Sequence, residues 1–173
     1  GDFEWAQNQL KVLKHSTSKL IANDAMDLSL LISDNLNLDT TNTALLMYAH
    51  AELLFEQKKY NQCLEHLNKL ELSFPNHPLI DEMLFKKSLV FIQNKEYLKA
   101  INALNKICVQ YKHDILYDDA LFEQATIYEF FLQDINKAKE NYEKLLLEVP
   151  NSIYVKKARD KYRLLRQDNL LKL

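Results

Sequence analysis

Glycine is almost missing from this sequence, and that absence constrains the fold more than any other feature. The chain has 173 residues and one glycine, Gly1. Tight turns, phosphate-binding loops and the crossovers of parallel sheets commonly use glycine, because glycine enters positive φ without a steric cost. No phosphate loop, nucleophile elbow, zinc-protease helix or paired-cysteine motif is present. The sequence therefore predicts an all-α chain with short connections and no catalytic site.

Charge and composition narrow the classes of partner. The chain is 47% apolar and 27% charged with a net charge of −2, which is the balance of a globular domain with its own core. The basic footprint of a nucleic-acid binder is missing. No stretch reaches the roughly 18 apolar residues of a membrane-spanning helix, and no signal peptide is visible. We therefore expect no nucleic-acid partner and no membrane span in this sequence.

A pattern with a period of 37 or 38 residues runs through the middle of the chain. Tyr97 follows Tyr60 by 37 residues, Ala100 follows Cys63 by 37, and Ala138 follows Ala100 by 38. The extra residue falls in the loop "EFFLQD". A period in the thirties without strand signals is typical of a solenoid built from helical hairpins.

Small residues recur in this pattern at positions where paired helix backbones would approach each other closely. Larger residues four positions further on would fill the space one helical turn away. The small columns are Ala51, Ser88 and Ala125 in the first helices and Cys63, Ala100 and Ala138 in the second helices. The larger residues four positions after the second of these columns are Leu67, Leu104 and Tyr142, and a further column holds Leu54, Phe91 and Tyr128.

Helix ends and beginnings agree with the period. Pro75 and Pro150 follow two of the second helices, where proline stops a helix because it lacks an N–H group. The acidic pairs Asp81-Glu82 and Asp118-Asp119 open the following first helices, where the helix dipole favours negative charge. We interpret these pairs as helix starts rather than as catalytic carboxylates.

Taken together, the small-x-x-aromatic and Tyr-x-x-Ala-x-x-x-apolar patterns with a closing proline resemble the tetratricopeptide repeat (TPR) family. The resemblance covers three copies and implies a right-handed superhelical solenoid of antiparallel helix hairpins, with about nine helices. The copies lack the family's glycine after the first helix. They also carry His50, Lys87 and Gln124 where the family has an apolar residue.

The stretch "LLLEVPNSIYVKKARDKYRLLR" is similar to the close of bacterial envelope TPR proteins that serve Tol-Pal coordination or outer-membrane assembly. That resemblance implies a periplasmic or envelope-associated protein, with the cytoplasm as the alternative.

These patterns divide the chain into a degenerate N-terminal hairpin (1–43), three repeats (44–150, about 44–80, 81–117 and 118–150) and a C-terminal capping helix with its tail (151–173). In the N-terminal hairpin a second helix is predicted to begin after Asn23, a good cap. The predicted apolar faces are Phe3, Ala6, Leu10 and Leu13 in the first helix, and Val155, Ala158, Tyr162 and Leu165 in the capping helix.

The family resemblance implies that a partner binds in a groove on the inner, concave face of the solenoid, which is formed mostly by the first helices of the repeats. The carried-over groove positions are Tyr48, Glu52, Phe55, Glu56, Glu82, Phe85, Leu89, Ile92, Asp119, Phe122, Thr126, Glu129 and Phe130. An aromatic surface with an acidic edge suits an apolar, basic peptide or helix. The Asn/Lys/Arg clamp that some TPR proteins use for C-terminal carboxylates does not appear. The alternative is that Tyr48, Phe85 and Phe122 pack between neighbouring repeats.

Two smaller features have competing interpretations. Lys156, Arg159, Arg163 and Arg166 form a basic strip along the capping helix, which is either a solvated face or a docking strip for an acidic partner. Cys63 and His66 could supply half of a metal site, although small buried residues are the favoured interpretation of free cysteines.

The sequence thus predicts a non-catalytic scaffold without cofactor or metal, which binds a protein or peptide rather than a small molecule. The alternative is a structural spacer within a larger solenoid, which the helix-first N-terminus favours. A third hypothesis, RNA binding, would require a basic inner face and is disfavoured by the net charge.

Overall fold

In the computed structural model, the described residues are 2–36 and 42–170, and side chains are described up to residue 166. Parts of the predicted N-terminal hairpin (1 and 37–41) and of the tail (171–173) lie outside them. Within the described residues the chain forms nine helices and no strand, and the predicted all-α fold of antiparallel hairpins is confirmed. The helices are α1 (Phe3–Leu13), α2 (Lys19–Asn35), α3 (Thr43–Glu56), α4 (Tyr60–Ser73), α5 (Ile80–Gln93), α6 (Tyr97–Gln110), α7 (Tyr117–Phe130), α8 (Ile135–Glu148) and α9 (Val155–Leu170).

The six helices from α3 to α8 repeat with the period seen in the sequence. Each is 14 residues long. The first helices begin at positions 43, 80 and 117, and the second helices begin at 60, 97 and 135. The 38-residue step therefore arises between α7 and α8, where the sequence had predicted a longer loop.

The turns inside the hairpins enter left-handed backbone without glycine. Lys58 has a φ of 58° and Lys95 a φ of 60°. The N–H of Lys59 donates to the carbonyl of Leu54, and the N–H of Lys58 donates to that of Phe55. This pattern satisfies the last carbonyl groups of a helix and usually places glycine at the left-handed position. Lysine is used there at a conformational cost.

The turn between α7 and α8 is one residue longer. Gln133 takes the left-handed conformation with a φ of 56°. The N–H of Asp134 reaches back to the carbonyl of Tyr128, while the N–H of Leu132 bonds to the carbonyl of Ile127. The Asp134 carboxylate also accepts a bond of 3.1 Å from the N–H of Lys137 and so caps the start of α8.

The chain divides into two compact units, Gly1–Ile80 and Asp81–Leu173. In the first unit α1 packs on α2 and α3 packs on α4. The small positions Ala51 and Cys63 and the larger Leu67 have no exposed surface. This complete burial agrees with their predicted positions inside the helix pair.

Two details of the N-terminal hairpin differ from the sequence prediction. The second helix begins at Lys19 after Ser18, and Asn23 lies inside it, because no proline or glycine interrupts the residues between them. The core of this hairpin contains Leu10, with Phe3 and Ala6 packed beside it. Leu13, which was expected on the same face, is 45% exposed.

In the second unit α7 packs against α6 and α8, and α9 packs on α8. The small positions Ser88, Ala100, Ala125 and Ala138 are completely buried. The hydroxyl group of Ser88 donates to the carbonyl of Phe85 at 2.6 Å, so this polar side chain is satisfied inside the core. The small positions of this unit are thus buried, as the prediction of close helix pairs requires.

The capping helix has the apolar stripe expected of it. Ala158 has no exposed surface and Leu165 is 6% exposed, while Val155 and Tyr162 are half buried. No helix among the described residues is both long and apolar enough to cross a membrane.

Candidate peptide-binding surface

The groove positions of the first unit lie on α3. Tyr48 is 4% exposed and packs in the interior. Glu52 and Phe55 are half buried, and Glu56 is exposed. The Phe55 ring meets the ring of Tyr60 edge-on, with centroids 5.5 Å apart. Of the two aromatic groove positions in this unit, Phe55 is the more accessible one.

On α5 the groove positions form one continuous face. Phe85, Leu89 and Ile92 follow one another at steps of four and three residues and are all half buried. The opposite face is fully packed, since Met83 and Val90 are at most 1% exposed. We call Phe85, Leu89 and Ile92 the α5 stripe.

Glu82, next along this face, does not supply the expected negative charge. Burial, and after it the hydrogen bond and the charge of Asp81, raise the pKa of Glu82 to about 9, with Asp114 adding a smaller effect. Its Oε2 atom has no hydrogen-bond partner. Glu82 lies in the first turn of α5 as predicted, but its carboxyl group is protonated at pH 7. At that pH it therefore carries no negative charge that could interact with the helix dipole or form an acidic edge.

The groove positions of α7 are in contact with the residues that follow α8. The ring of Phe122 stacks on that of Tyr154, with centroids 4.5 Å apart and planes inclined by 15°. The Tyr154 hydroxyl group donates to Oδ1 of Asp119 at 2.7 Å. Phe122 also meets the ring of Tyr142 edge-on at 5.9 Å, and Thr126 donates to the Phe122 carbonyl at 2.9 Å.

A second group of contacts joins the end of α7 to α9. Glu129 accepts a hydrogen bond of 2.7 Å from the Tyr142 hydroxyl group and pairs with the Lys161 ammonium group at 2.8 Å. The same ammonium group lies 4.2 Å from the ring centroid of Phe130, which is 54% exposed. The α7 positions are thus used largely within the chain, and Phe130 remains accessible.

Sequence reasoning missed Tyr142, Tyr154 and Lys161 as parts of this surface. Tyr142 was assigned to filling space beside Ala138. Tyr154 and Lys161 lie outside the three repeats, so the repeat pattern gave them no position on a first helix. The two carboxylate-bound tyrosines have no local sequence signal, because their partners are 13 and 35 residues away.

All four residues of the basic strip, Lys156, Arg159, Arg163 and Arg166, are exposed. The Arg166 guanidinium carbon lies 5.8 Å from the ring centroid of Tyr162. Tyr162 in turn donates a hydrogen bond of 2.7 Å to Glu143. The strip is solvated in this structure, and docking of an acidic partner on it stays a prediction.

Cys63 and His66, which could have supplied half of a metal site, lie in different surroundings. Cys63 is completely buried, whereas the Nδ1 atom of His66 lies 3.3 Å from Nδ1 of His50. Among the described residues, no group of three or more histidine, cysteine or acidic side chains could hold a metal ion.

Comparison with known proteins identifies the fold. The family model described as Tetratricopeptide repeat matches residues 119–152, from the first turn of α7 to the turn before α9. No curated protein is detectably similar in sequence.

Several solved structures share the fold. The first TPR of Spaghetti (RPAP3), bound to the HSP90 peptide SRMEEVD, is 20% identical with a TM-score of 0.59, covering 76% of this chain and 96% of its own. The second TPR domain of human RPAP3, in complex with the HSP70 peptide SGPTIEEVD, is 17% identical with a TM-score of 0.55, covering 71% and 94%. The first TPR domain of human RPAP3 is 21% identical with a TM-score of 0.55, covering 75% and 94%.

These likenesses extend over most of the chain at low sequence identity, and the family model matches one repeat. The protein therefore has the fold of TPR domains, and residues 119–152 carry the TPR sequence pattern.

Proposed function

We propose that this chain is a non-catalytic interaction module that binds an apolar peptide or helix of a partner protein through the α5 stripe. The observation that carries the proposal is the stripe itself. Phe85, Leu89 and Ile92 are only half buried along one face of α5, although Met83 and Val90 on its other face are buried. Apolar and aromatic anchors of this kind supply most of the binding energy of an interface.

The fold supports a peptide-binding role. Two of the structures described above contain TPR domains with bound HSP90 and HSP70 peptides. A surface of this kind binds a short helical or extended segment of a partner protein when the apolar residues of that segment pack against the apolar residues of the surface. We propose the same mode of binding for the present chain, but we do not propose that it binds those peptides.

The charges of the second unit favour an apolar partner over a basic one. Glu82 is protonated at pH 7 because its pKa is raised to about 9, and Glu129 is already paired with Lys161. Binding at the α5 stripe should therefore depend weakly on salt, since ionic strength screens attractions between charges. This differs from the acidic edge expected from sequence.

The second candidate function is a structural spacer without a ligand of its own. The contacts of Tyr154 and Lys161 with Asp119, Phe122 and Glu129 favour it. Residues after the last repeat occupy the groove positions of α7, as a capping segment would do to close a repeat array.

Site-specific photo-crosslinking distinguishes the two functions. A photoreactive phenylalanine analogue placed at Leu89 reports on the α5 stripe. The same analogue at Val109, which is 70% exposed on α6, is the matched control. Both proteins are irradiated in extract of the source cells, and the crosslinked partners are identified by mass spectrometry.

A module that binds through the α5 stripe gives a partner crosslinked from position 89 and not from position 109. The crosslink disappears when Phe85 and Ile92 are both replaced by alanine in a variant whose circular dichroism is unchanged. Equal crosslinking at both positions, or none at either, supports the spacer. If replacement of Arg159 and Arg163 by glutamine abolishes the crosslink to a partner, and the α5 variant retains that crosslink, then binding takes place on the basic strip.

The compartment in which the chain acts is a separate proposal. We propose a periplasmic or envelope-associated location, with the cytoplasm as the alternative, and this proposal rests only on the sequence pattern of the closing stretch. Fractionation of source cells, followed by immunoblotting for the native protein, decides between them.

A further inference from the structure

The closing helix α9 continues the repeat as one more first helix. It begins 38 residues after α7, which is also the step from the start of α6 to the start of α8. Burial supports the same register. Ala120 and Ile127 of α7 have no exposed surface, and Ala158 and Leu165, 38 positions later on α9, are at most 6% exposed. Positions on α9 can therefore be compared one by one with positions on α7.

In this register the arginines of the basic strip occupy the face that a first helix turns toward its own second helix. The corresponding pairs are Arg159 and Leu121, Arg163 and Ala125, and Arg166 and Tyr128. The Tyr128 ring centroid lies 5.2 Å from the ammonium group of Lys137 on α8. One repeat earlier, the ring of Phe91 has the same relation to Lys99 of α6, at 5.8 Å. This face thus meets the second helix in both of those hairpins.

On α9 the same face is exposed. Arg159, Arg163 and Arg166 are all exposed, whereas Leu121 and Ala125 at the corresponding places on α7 are at most 1% exposed. The helix packs on α8 through its other side. Among the described side chains, no carboxylate forms an ion pair with any member of the basic strip. The face therefore presents its cations to solvent.

A helix that covered this face would have to bring negative charge. Burial of a guanidinium group without a partner is costly, and bidentate pairing with a carboxylate offsets that cost. An apolar helix in this place would leave Arg163 unpaired, where α7 has the small Ala125. The three arginines follow one another at steps of four and three residues, which is about 6 Å and 4.5 Å along the helix axis. Carboxylates at the same steps on a facing helix can pair with all three.

The surroundings of the strip favour a single acidic helix over a lipid surface or a nucleic acid. Asp160 is exposed beside the strip on α9. Glu143 of α8 accepts a hydrogen bond from Tyr162, whose ring centroid is 5.8 Å from the guanidinium carbon of Arg166. An extended array of phosphates would meet these carboxylates as well as the arginines. A helix carries its charges along one face and can avoid them.

We propose that an acidic helix of a partner protein docks on the basic strip, in the place that the second helix takes in the hairpins of α5 and α7. Its carboxylates pair with Arg159, Arg163 and Arg166, and the partner thereby completes a further hairpin with α9. The strip shares no residue with the α5 stripe, so this interaction is additional to the function proposed above.

Fluorescence anisotropy with a designed peptide tests this surface. The probe is a labelled alanine-based helix of about 18 residues, long enough to be helical in water, with glutamates at steps of four and three along one face. A second peptide has glutamine at each of these positions. Each is titrated with the whole chain. We expect saturable binding of the glutamate peptide, and binding weaker by about tenfold or more for the glutamine peptide, because the charge-assisted hydrogen bonds are lost.

Substitutions on the strip identify the site of binding. Arg159→Gln combined with Arg163→Gln should weaken binding of the glutamate peptide by about tenfold or more. Both side chains are exposed, so the fold should persist, and circular dichroism verifies it. Lys69→Gln combined with Lys106→Gln removes two exposed cations from α4 and α6. This matched control changes the net charge equally and should bind like the wild type, as should the α5 variant.

Several results would overturn the proposal. These are the absence of saturable binding of the glutamate peptide, equal binding of the two peptides, and binding that persists in the arginine variant. Tighter, arginine-dependent binding of phosphatidylserine vesicles or of a single-stranded RNA oligonucleotide would assign the strip to another class of partner and would overturn it too. Loss of binding in the α5 variant would also contradict it, because the peptide would then occupy the α5 stripe. The other results do not bear on that stripe.

Discussion

The hydroxyl group of Tyr154 donates a hydrogen bond of 2.7 Å to Oδ1 of Asp119. The two residues are 35 positions apart in sequence, one at the start of α7 and the other in the turn that leads to α9. Burial, and then this bond, raise the pKa of the Tyr154 hydroxyl group. The bond therefore persists throughout the physiological pH range and helps to hold the capping segment on the last repeat.

Removing this hydroxyl group should destabilise the second unit. Tyr154→Phe keeps the stacking on Phe122 but leaves the Asp119 carboxylate without this donor, so we expect a loss of about 1–2 kcal/mol in the free energy of unfolding. Urea denaturation followed by circular dichroism measures it. Tyr162→Phe is the control, because its bond to Glu143 is exposed and should contribute less than about 0.5 kcal/mol. Equal effects of the two substitutions would show that the hydrogen bond to Asp119 stabilises the chain no more than the exposed bond to Glu143 does.

Enlarging a small position should overpack the helix pair. Ala100 has no exposed surface, so Ala100→Leu must displace its neighbours and should cost about 1–3 kcal/mol. Thermal melting reports the loss, and Lys106→Leu at an exposed position of α6 controls for the change in helix propensity. A melting temperature of Ala100→Leu equal to that of the wild type would contradict the close approach of the helices at this column.

Glycine at a left-handed turn position should raise the free energy of unfolding. Lys95 has a φ of 60°, a conformation that costs a residue with a Cβ atom about 1–2 kcal/mol. Part of this gain is offset by the greater backbone freedom of glycine in the unfolded chain. We therefore expect Lys95→Gly to raise the free energy of unfolding by about 0.5–1 kcal/mol.

Lys95→Ala separates the turn conformation from the loss of the lysine side chain. Alanine keeps the Cβ atom, so this variant should show none of the gain in urea denaturation. A similar stabilisation by alanine and by glycine would attribute the effect to the charge and not to the backbone.

The raised pKa of Glu82 predicts a pH dependence of stability. Its pKa is about 9 in the folded chain and 4.5 ordinarily, so the folded state holds a proton that the unfolded state releases. Stability should therefore fall as pH rises from about 4.5 to about 9, because burial, and after it Asp81 and Asp114, oppose ionisation of Glu82. Urea titrations at several pH values measure this slope.

Glu82→Gln should flatten that slope and raise stability at pH 8, because glutamine is neutral at every pH. Asp160→Asn, at an exposed position of α9, is the matched control and should leave the slope unchanged. If the Glu82→Gln variant shows the same slope as the wild type, the pH dependence of stability comes from another titrating group.

Much of the architecture could be predicted from sequence because it depends on local periodicity. The spacing of Cys63, Ala100 and Ala138 identified buried small positions on the second helices, and Pro75 and Pro150 marked the ends of second helices. The start of α2 was missed because Ser18 and Asn23 are both acceptable caps, and their local chemistry does not choose between them.

The candidate surface was less predictable, because exposure depends on what packs over a residue. Tyr48 and Phe85 occupy comparable positions in their repeats, yet Tyr48 is 4% exposed and Phe85 is half buried. A sequence pattern indicates which face of a helix a residue lies on, but not whether another element covers that face.

The sequence by itself determined the helices, their period and the columns of small residues, because a helix face and a turn are properties of neighbouring residues. The tertiary structure alone decided the protonation of Glu82, the contacts of Tyr154 with the α7 positions and the lack of a hydrogen-bond partner at Nε2 of Gln124. Each of these depends on desolvation and on distances between residues far apart in the chain, which no local pattern records.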